Sequence, residues 1–290
     1  MPNYYIIVNP AAGRGQGLLL GKKLEKRLPE LTADFKLEYT VAPWDATEMA
    51  DKASSEFEVI AAAGGDGTLH EIVNGLKDKP NKLALIPEGT GNDFARAMNI
   101  PADTESALQM LFRNKTRKID VCRINERWFH NGAGIGFDAW AVENAARVTR
   151  LRGNAVYWYS ILRTLISYKP VQVSLQLNGE TLNNDFFMIT IANGTALGGG
   201  FMLTPDAEMD DGLFDLCIIE NTSRLSVARN LLKVFSGKHK DDPRVQMKRA
   251  DKVTVTSEEG FAVHADGELI SLKETELHAE IIPGALEFVC

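Results

Sequence analysis

The chain has 290 residues, of which 44% are hydrophobic and 24% are charged, and its formal net charge is -7. These values predict a soluble globular protein with roughly two domains. The negative charge argues against broad nucleic-acid binding, because a phosphate-binding surface needs an excess of basic residues.

Cysteine usage and the N-terminus predict a cytoplasmic protein. The three cysteines, Cys122, Cys217 and Cys290, form no CxxC pair. An odd number of cysteines in apolar, strand-like segments favours buried thiols over a disulfide framework. The first residues lack a basic region followed by an apolar core, and no window approaches the roughly 18 to 20 apolar residues of a membrane span.

Strands and helices alternate over the first 120 residues. Apolar runs predict strands at 4–10, 36–42, 57–63 and 82–90. Helical spacing predicts helices through Leu20, Leu24, Leu28 and Leu31, at 46–54, through Leu69, Ile72, Val73 and Leu76, and at 94–98 and 104–112. This alternation predicts parallel crossover units and therefore a doubly wound α/β domain at residues 1–120.

The pattern changes near residue 117. A hairpin is predicted to turn at Asn125-Glu126, and helices are predicted at 139–150, 155–168 and 225–235. The remaining segments read as short strands joined by Asn-Gly and Asp-Gly turns, which are typical of antiparallel sheets. We therefore expect a β-rich second domain at 121–290, whose last residues could return to the first domain.

Three glycine-rich loops follow three of the predicted parallel strands: "NPAAGRGQG" at 9–17, "GGDGT" at 64–68 and "PEGTGNDFAR" at 87–96. The carboxyl ends of such strands meet at one edge of the sheet, where helix N-termini bind anions. Glycines let an anion approach the main chain, and Asp66 beside a phosphate calls for a metal ion. GGDGT alone fits a simple tight turn equally well, but three such loops favour a phosphate and magnesium site. We also expect Thr68 to cap the following helix and His70 to lie on its exposed first turn.

Two common nucleotide-binding motifs are absent. A P-loop requires GxxxxGK followed by Ser or Thr, whereas here Lys22 is followed by Lys23 and Gln16 stands at the leading glycine position. The glycines at 13, 15 and 17 follow GxGxG rather than GxGxxG. The five histidines also show no metal-binding spacing, so we expect no zinc site.

Six segments of the chain, in order, are "NPAAG", "GGDGTLHEIVNGL", "IPEGTGNDFAR", "NGAGIGFDA", "PDAEMDDGLFDL" and "HADGE". Together they resemble the diacylglycerol kinase catalytic-domain family, and soluble bacterial lipid kinases in particular. The resemblance implies an α/β domain like that of NAD kinase and phosphofructokinase, a C-terminal antiparallel β-sandwich, and an active site in the interdomain cleft. It further implies phosphorylation of the hydroxyl of diacylglycerol or a related lipid alcohol, with ATP as donor and Mg²⁺ as cofactor.

The resemblance also assigns roles to individual residues. The residues that it places around the nucleotide are Asn9, Gly13, Thr40, Gly64, Gly65, Asp66, Gly67, Thr68, Leu69, His70 and Thr90. Asp93 would organise the ionic network around metal and phosphates. A structural Mg²⁺ would bind the Asp211 carboxylate and the carbonyl oxygens of Glu208 and Leu213. Arg14 stands where some relatives have a lysine.

The resemblance draws the proton acceptor from Asp266 and Glu268, without deciding between them. Two residues apart in an extended backbone, their side chains would face the same side. One could then hydrogen-bond the acceptor hydroxyl while the other orients it.

Two other functions stay open from the sequence: a kinase of a soluble acceptor such as NAD, and a non-catalytic nucleotide or lipid sensor. The expected partners are ATP, a lipid alcohol and, transiently, a membrane surface, so that the protein would be peripheral at the inner membrane face; a homodimer is left open. Arg147, Arg150 and Arg152 are a candidate headgroup patch or a solvated face. Five aromatic residues could line a lipid cleft or belong to the core: Trp128, Trp140, Tyr157, Trp158 and Tyr159.

Overall fold

The computed structural model describes residues 2–148 and 154–290. The described chain forms two compact units, Met1–Ile119 with Gly284–Cys290, and Asp120–Pro283. The sequence-based domains, 1–120 and 121–290, remain a prediction about which regions fold independently. Within the described ranges, no helix combines the length and apolar character needed to cross a bilayer.

The first unit is built on parallel strands. Its elements are β1 (Tyr4–Val8), α1 (Ala12–Leu31), β2 (Phe35–Tyr39), α2 (Asp45–Ala53), β3 (Val59–Gly64), α3 (Asp66–Gly75), β4 (Lys82–Pro87), α4 (Asp93–Ala97) and α5 (Thr104–Arg113). The strand order is β2-β1-β3-β4, and every pair is parallel. Val8 pairs with Ala63, and Gly64 pairs with Pro87, so β1, β3 and β4 end at nearly the same level. Their following loops therefore leave one edge of the sheet.

Helical periodicity predicts the buried faces of this unit well. Leu20, Leu24 and Leu28 of α1 are buried, whereas Leu31, at the C-terminal end, is exposed. The apolar stripe of α3, Leu69, Ile72, Val73 and Leu76, is buried as predicted.

The second unit is mainly antiparallel. Its elements are β5 (Thr116–Ile124), β6 (Arg127–Phe129), β7 (Gly132–Gly136), α6 (Phe137–Ala146), α7 (Asn154–Ser167), β8 (Val171–Leu177), β9 (Glu180–Ala192), β10 (Phe214–Glu220), α8 (Arg224–Val234), β11 (Val245–Ala250), β12 (Lys252–Ala265) and β13 (Glu268–Val289). The strand order is β11-β10-β9-β7-β12-β13, and β8 pairs with both β9 and β12. The first residues of β5 and the last of β13 are counted in the first unit, where Glu287 and Phe288 pair in parallel with β4.

The expected hairpin between β5 and β6 is present. Ile124 pairs with Arg127, and Asn125 has a φ of 49°, a conformation that asparagine tolerates in tight turns. Cys122 and Cys217 are buried as expected, and burial raises the pKa of both thiols. The predicted order of an α/β region followed by a β-rich region is confirmed.

Candidate active site

Gly65 and Gly89 bring two of the glycine-rich loops into direct contact. A Cβ atom added to Gly65 would lie 2.8 Å from the Cα of Gly89, and one added to Gly89 would lie 2.7 Å from the Cα of Gly65. A side chain at either position would separate the loops, because real Cβ atoms do not approach backbone atoms so closely. The loop after β3 and the loop after β4 therefore form one continuous surface.

Asp66 ties the same two loops together. Its Oδ2 accepts a hydrogen bond from the backbone N–H of Asp93, and its Oδ1 accepts one from Phe94, both at 3.1 Å. These amides begin α4, whose N-cap residue Asn92 makes no side-chain capping bond and has a φ of 52°. The Asp66 carboxylate thus caps a helix on the neighbouring loop, a role that the sequence did not reveal. Asp93 itself is buried and pairs with Arg96.

The first loop joins this surface through Asn9. The side-chain amide of Asn9 donates to Thr68 Oγ1 at 3.0 Å, while its Oδ1 accepts from Ala11 N at 3.0 Å. A Cβ at Gly17 would lie 1.9 Å from the Asn9 carbonyl oxygen, so this position requires glycine. The contacts bring Asn9 and Thr68 from two loops into one place.

The start of α1 is irregular. Gly13, Arg14 and Gly15 have φ values of 54°, 59° and 96°, so the backbone is left-handed for three residues in a row. Such a conformation is natural for glycine and uncommon for arginine. Arg14 is exposed there.

Two expectations for α3 are wrong. Gly65, not Thr68, is the N-cap, and the Thr68 hydroxyl is buried within the first helical turn, where it accepts the Asn9 bond. His70 is fully buried rather than exposed, because α2 packs beside α3 and the ring of Trp44 meets the His70 ring edge-on at 5.7 Å. Side-chain burial of this kind depends on a neighbouring helix, which local sequence cannot report.

The other residues assigned to the nucleotide differ in exposure. Thr40 is buried directly after β2, and its N–H donates to the Val8 carbonyl at 2.9 Å. A Cβ at Gly64 would lie 2.4 Å from Thr68 Oγ1, so Gly64 is fixed against the same hydroxyl as Asn9. Thr90 is exposed on the β4 loop.

In the second unit, Asp266 and Gly267 form the tight turn between β12 and β13. Their φ values are 50° and 84°, and Ala265 pairs with Glu268 across the turn. The expectation that Asp266 and Glu268 share one side of an extended strand is therefore wrong, because the backbone reverses at Asp266. Glu268 is the first residue of β13 and is exposed, whereas Asp266 is buried.

The Asp266 carboxylate is held by a fixed set of donors. It accepts hydrogen bonds from the backbone N–H groups of His130, Asn131 and Gly132, each at 3.0 Å. The Nδ1 atom of His130 lies 2.8 Å from Asp266 Oδ2. Asp266 thus anchors the segment before β7 to the hairpin turn, and His130 is a site residue that sequence reasoning missed.

Asp138 and His264 are two further polar residues near this turn. A Cβ at Gly134 would lie 1.8 Å from Asp138 Oδ2, so the glycine makes room for that carboxylate over β7. His264 Nε2 lies 3.6 Å from Asp138 Oδ2, and its Nδ1 accepts from Gly267 N at 3.3 Å. In the sequence, the alternating glycines of "NGAGIGFDA" are the feature that indicates a side chain packed closely over this strand.

The predicted magnesium ligands lie on the loop before β10, and two carboxylates from neighbouring strands, Asp120 of β5 and Asp215 of β10, belong to the same region. Asp211 Oδ1 accepts from Leu213 N at 3.0 Å, and its Oδ2 pairs with Arg249. Asp120, which sequence reasoning missed, accepts from Gly212 N at 2.7 Å.

Asp215, which sequence reasoning also missed, is a buried carboxylate at the start of β10. Its Oδ2 is buried, accepts no hydrogen bond from the described residues and lies 3.4 Å from Arg249 Nε. Burial, with Asp206 and Glu208 nearby, raises the pKa of Asp215 to about 6. Because Mg²⁺ prefers oxygen ligands, a loop with surplus carboxylate oxygens and one arginine fits a divalent cation.

The candidate arginine patch is only partly within the described residues. Arg147 is exposed and pairs with Glu143 one turn earlier on α6. Arg150 and Arg152 lie outside the described residues. A single exposed helical ion pair of this kind contributes little to stability.

Comparisons with known proteins agree with this architecture. The model of the diacylglycerol kinase catalytic domain matches residues 3–124, and that of the YegS C-terminal NAD kinase beta sandwich-like domain matches residues 132–290. A diacylglycerol kinase of Staphylococcus aureus (strain bovine RF122 / ET3-1) is 32% identical over 276 residues, covering 91% of this chain and 85% of the relative.

Solved structures extend the comparison to the whole fold. A proposed diacylglycerol kinase from Bacillus anthracis str. Sterne has a TM-score of 0.83 at 26% identity, covering 99% of this chain and 97% of its own. Yeast NADH kinase complexed with NADH has a TM-score of 0.55 at 10% identity, covering 99% and 83%, and shares the fold alone.

The matched catalytic-domain model and the relatives named diacylglycerol kinase identify the chain as a kinase. The chain belongs to the diacylglycerol kinase catalytic-domain family, and it is a lipid kinase.

Proposed function

We propose that the protein transfers the γ-phosphoryl group of ATP to the hydroxyl of diacylglycerol or a related lipid alcohol, with Mg²⁺ as cofactor. The observation that carries this proposal is the contact between Gly65 and Gly89, which joins two glycine-rich loops at the carboxyl ends of β3 and β4. The curated relatives named diacylglycerol kinase support the choice of acceptor.

Phosphate binding is assigned to the first unit. Gly65, the N-cap residue of α3, has no side chain that could accept hydrogen bonds from the first N–H groups of the helix. Helix N-termini favour phosphate through their N–H groups and the helix dipole. Asp66 and Asn9 hold this loop in place through their bonds to the neighbouring loops. N–H donors that are held rigidly do not need to move during the reaction. They can therefore stabilise the negative charge that spreads over the phosphoryl group as it is transferred.

We propose the same nucleotide-binding residues that the family resemblance assigned from the sequence. They are Asn9, Gly13, Thr40, Gly64, Gly65, Asp66, Gly67, Thr68, Leu69, His70 and Thr90. Asp93 is proposed to organise the ionic network beside them. Buried His70 would act by shaping the wall behind the loop, since its ring is packed against Trp44.

The structural metal is assigned to the second unit. Asp211, with the carbonyl oxygens of Glu208 and Leu213, would hold Mg²⁺, and Asp120 on β5 and Asp215 on β10 add carboxylates beside this loop. When bound, the ion would offset the negative charge of these carboxylates and order the loop.

We assign proton acceptance to Glu268 and a positioning role to Asp266. The Asp266 oxygens are occupied by three backbone N–H groups and face His130, which leaves them poorly placed to take up a proton. Glu268 is exposed at the start of β13. As the hydroxyl oxygen bonds to the γ-phosphorus and the bond to ADP breaks, the hydroxyl proton would pass to Glu268.

The test is an assay with ATP, Mg²⁺ and dioleoylglycerol in detergent micelles, read out as ADP release and phosphatidic acid formation. An assay with NAD in place of the lipid tests the alternative function, a kinase of a soluble acceptor. Nucleotide binding without turnover on any lipid alcohol would favour the sensor and overturn the proposal. We expect this kinase to act at the inner membrane face.

A further inference from the structure

His264 contacts the turn that carries Glu268. It is the last residue but one of β12, and its side chain is buried. Its Nδ1 accepts a hydrogen bond from the backbone N–H of Gly267 at 3.3 Å. Because Ala265 pairs with Glu268 across the turn, Gly267 is the second of the two turn residues. The histidine ring therefore holds the turn one residue before Glu268.

This hydrogen bond determines which ring nitrogen of His264 carries the proton. A nitrogen that accepts a hydrogen bond has no proton of its own, so the neutral ring is protonated at Nε2. Nε2 lies 3.6 Å from Oδ2 of Asp138, whose side chain is 15% exposed. A carboxylate that faces the N–H side of an imidazole favours that tautomer and orients the ring. Asp138 and Gly267 thus require the same form of His264.

The position of Asp138 is itself fixed by β7. Gly134 pairs with His264 across the β7–β12 ladder, and a Cβ atom on Gly134 would lie 1.8 Å from Asp138 Oδ2. The carboxylate thus occupies the space that this glycine leaves. Asp138 Oδ1 accepts a hydrogen bond from the N–H of Ala139 at 2.9 Å, in the first turn of α6. Strands β7 and β12 and helix α6 together determine where the His264 ring lies.

The two residues of the turn are anchored separately. Asp266, the first, is held through its carboxylate by three backbone N–H groups of the segment at 130–132. Gly267, the second, is exposed and has a φ of 84°, in a region where glycine moves more freely than other residues. Its N–H donates to His264. This bond restrains the residue from which the chain continues into Glu268.

We propose that His264 is a positioning residue for Glu268. It holds the Gly267 N–H so that the Glu268 carboxylate reaches the hydroxyl of the acceptor, and Asp138 keeps the His264 ring in the required tautomer. The inference rests on the proposed function, in which Glu268 takes up the hydroxyl proton. His264 takes no proton itself in this role, because its Nδ1 is occupied by Gly267 and its Nε2 faces Asp138. A displacement of about 1 Å at a reacting group costs on the order of 10²-fold in rate, so such a restraint matters to catalysis.

The first test is steady-state kinetics with ATP, Mg²⁺ and dioleoylglycerol micelles. His264→Ala removes the acceptor for the Gly267 N–H and should lower kcat about 10- to 100-fold, the usual effect of losing a residue that orients a functional group. The KM for ATP should be unchanged, because the residues proposed for the nucleotide belong to the first unit. His264→Asn should recover most of kcat, since its Oδ1 can accept from Gly267 in place of Nδ1.

The matched control is His239→Ala, which removes another buried histidine of the second unit. Its Nε2 lies 3.1 Å from the Leu203 carbonyl oxygen, away from the DGE turn in sequence. This variant should lower the melting temperature and keep kcat within about twofold of the wild type, whereas His264→Ala should lower kcat with a smaller change in melting temperature. The comparison separates lost stability from lost positioning.

A double-mutant cycle then tests whether His264 acts through Glu268. If it does, His264→Ala should lower kcat by less than about twofold when Glu268→Gln is already present. Amide hydrogen exchange, measured by NMR on ¹⁵N-labelled protein, provides a readout that needs no turnover. The Gly267 N–H should exchange about two- to tenfold faster in His264→Ala, the equivalent of one hydrogen bond, and His264→Asn should restore its protection.

Two results would overturn the positioning role and leave the proposed function intact. One is an equal loss of kcat from His264→Ala with and without Glu268→Gln, and the other is unchanged Gly267 exchange in His264→Ala. A wild type that forms no phosphatidic acid, or a Glu268→Gln variant with full kcat, would instead reject the proposed function and this inference with it.

Discussion

The backbones of Gly65 and Gly89 touch: a single methyl group on either residue would lie within 2.8 Å of the other residue's Cα. The contact explains why both loops carry glycine here, since the phosphate-binding surface proposed for them exists only while they remain together. The Asp66 carboxylate fixes the same junction through two backbone bonds.

Alanine at either glycine should separate the loops. We expect Gly89→Ala to lower the free energy of unfolding by about 1–3 kcal/mol, the usual cost of overpacking, and to raise the KM for ATP. Urea denaturation and steady-state kinetics provide the measurements. Gly179→Ala, in the turn between β8 and β9, is the control, because its Cβ meets no atom within 4 Å and its φ of +76° adds only local strain. Equal KM values in the two variants would argue against the importance of the glycine contact.

Asp66 should stabilise the fold by capping α4, in addition to any part it has in ligand binding. Asp66→Ala removes both acceptors for the N–H groups of Asp93 and Phe94, and loss of a helix cap costs about 0.5–2 kcal/mol. Asp66→Asn keeps one acceptor oxygen, so its stability should lie between those of Asp66→Ala and the wild type. Urea denaturation of the three proteins checks this order, and wild-type stability in Asp66→Ala would show that the cap is dispensable.

Substitutions of Asp266 and of Glu268 should affect different measured quantities. Glu268→Gln should lower kcat by about 10²- to 10⁴-fold with an unchanged melting temperature, as expected for an exposed proton acceptor. Asp266→Ala should lose both activity and stability, by about 1–3 kcal/mol for each buried donor left unpaired, because three backbone N–H groups depend on it. If Glu268→Gln retained full kcat, Glu268 would have no part in proton transfer.

Because of the buried His239, the protein should be less stable at acidic pH. Burial lowers its pKa from 6.5, and its Nε2 lies 3.1 Å from the Leu203 carbonyl oxygen. Because the unfolded chain binds the proton more readily, the free energy of unfolding should fall as pH drops below about 6.5. His239→Gln should flatten this dependence by up to one proton between pH 7.5 and 5.5, measured by urea denaturation at each pH.

Magnesium should stabilise the second unit through its acidic loop. We expect 5 mM MgCl₂ to raise the melting temperature of the wild type relative to EDTA, since a ligand that binds only the folded state stabilises it by mass action. Asp211→Asn should abolish the shift, whereas Asp185→Asn, an exposed acid on β9, should keep it. A shift of equal size in Asp211→Asn would place the ion elsewhere.

The sequence predicted the features that depend on local periodicity. The burial of Leu69, Ile72, Val73 and Leu76, the hairpin at Asn125, and the change from an α/β to a β-rich region all follow from patterns within a few residues. Such patterns are readable because burial of one face is a local requirement of each helix or strand.

The residues whose burial or role was not predicted correctly make contacts with residues far away in the sequence. His70 is buried because Trp44 packs on it, and Asp266 is fixed by amides more than 130 residues earlier in the chain. Asp120 and Asp215 join the acidic loop only through β5 and β10. No local pattern marks a residue for a contact of this kind.

The central claim is phosphoryl transfer from ATP to a lipid hydroxyl, with Glu268 as the proton acceptor. Its most direct test is transfer of ³²P from [γ-³²P]ATP to dioleoylglycerol by the wild type and by Glu268→Gln in the presence of Mg²⁺. The account predicts labelled phosphatidic acid with the wild type, and at least about a hundredfold less with the variant. Absence of labelled lipid with the wild type, alongside labelling of NAD, would contradict it.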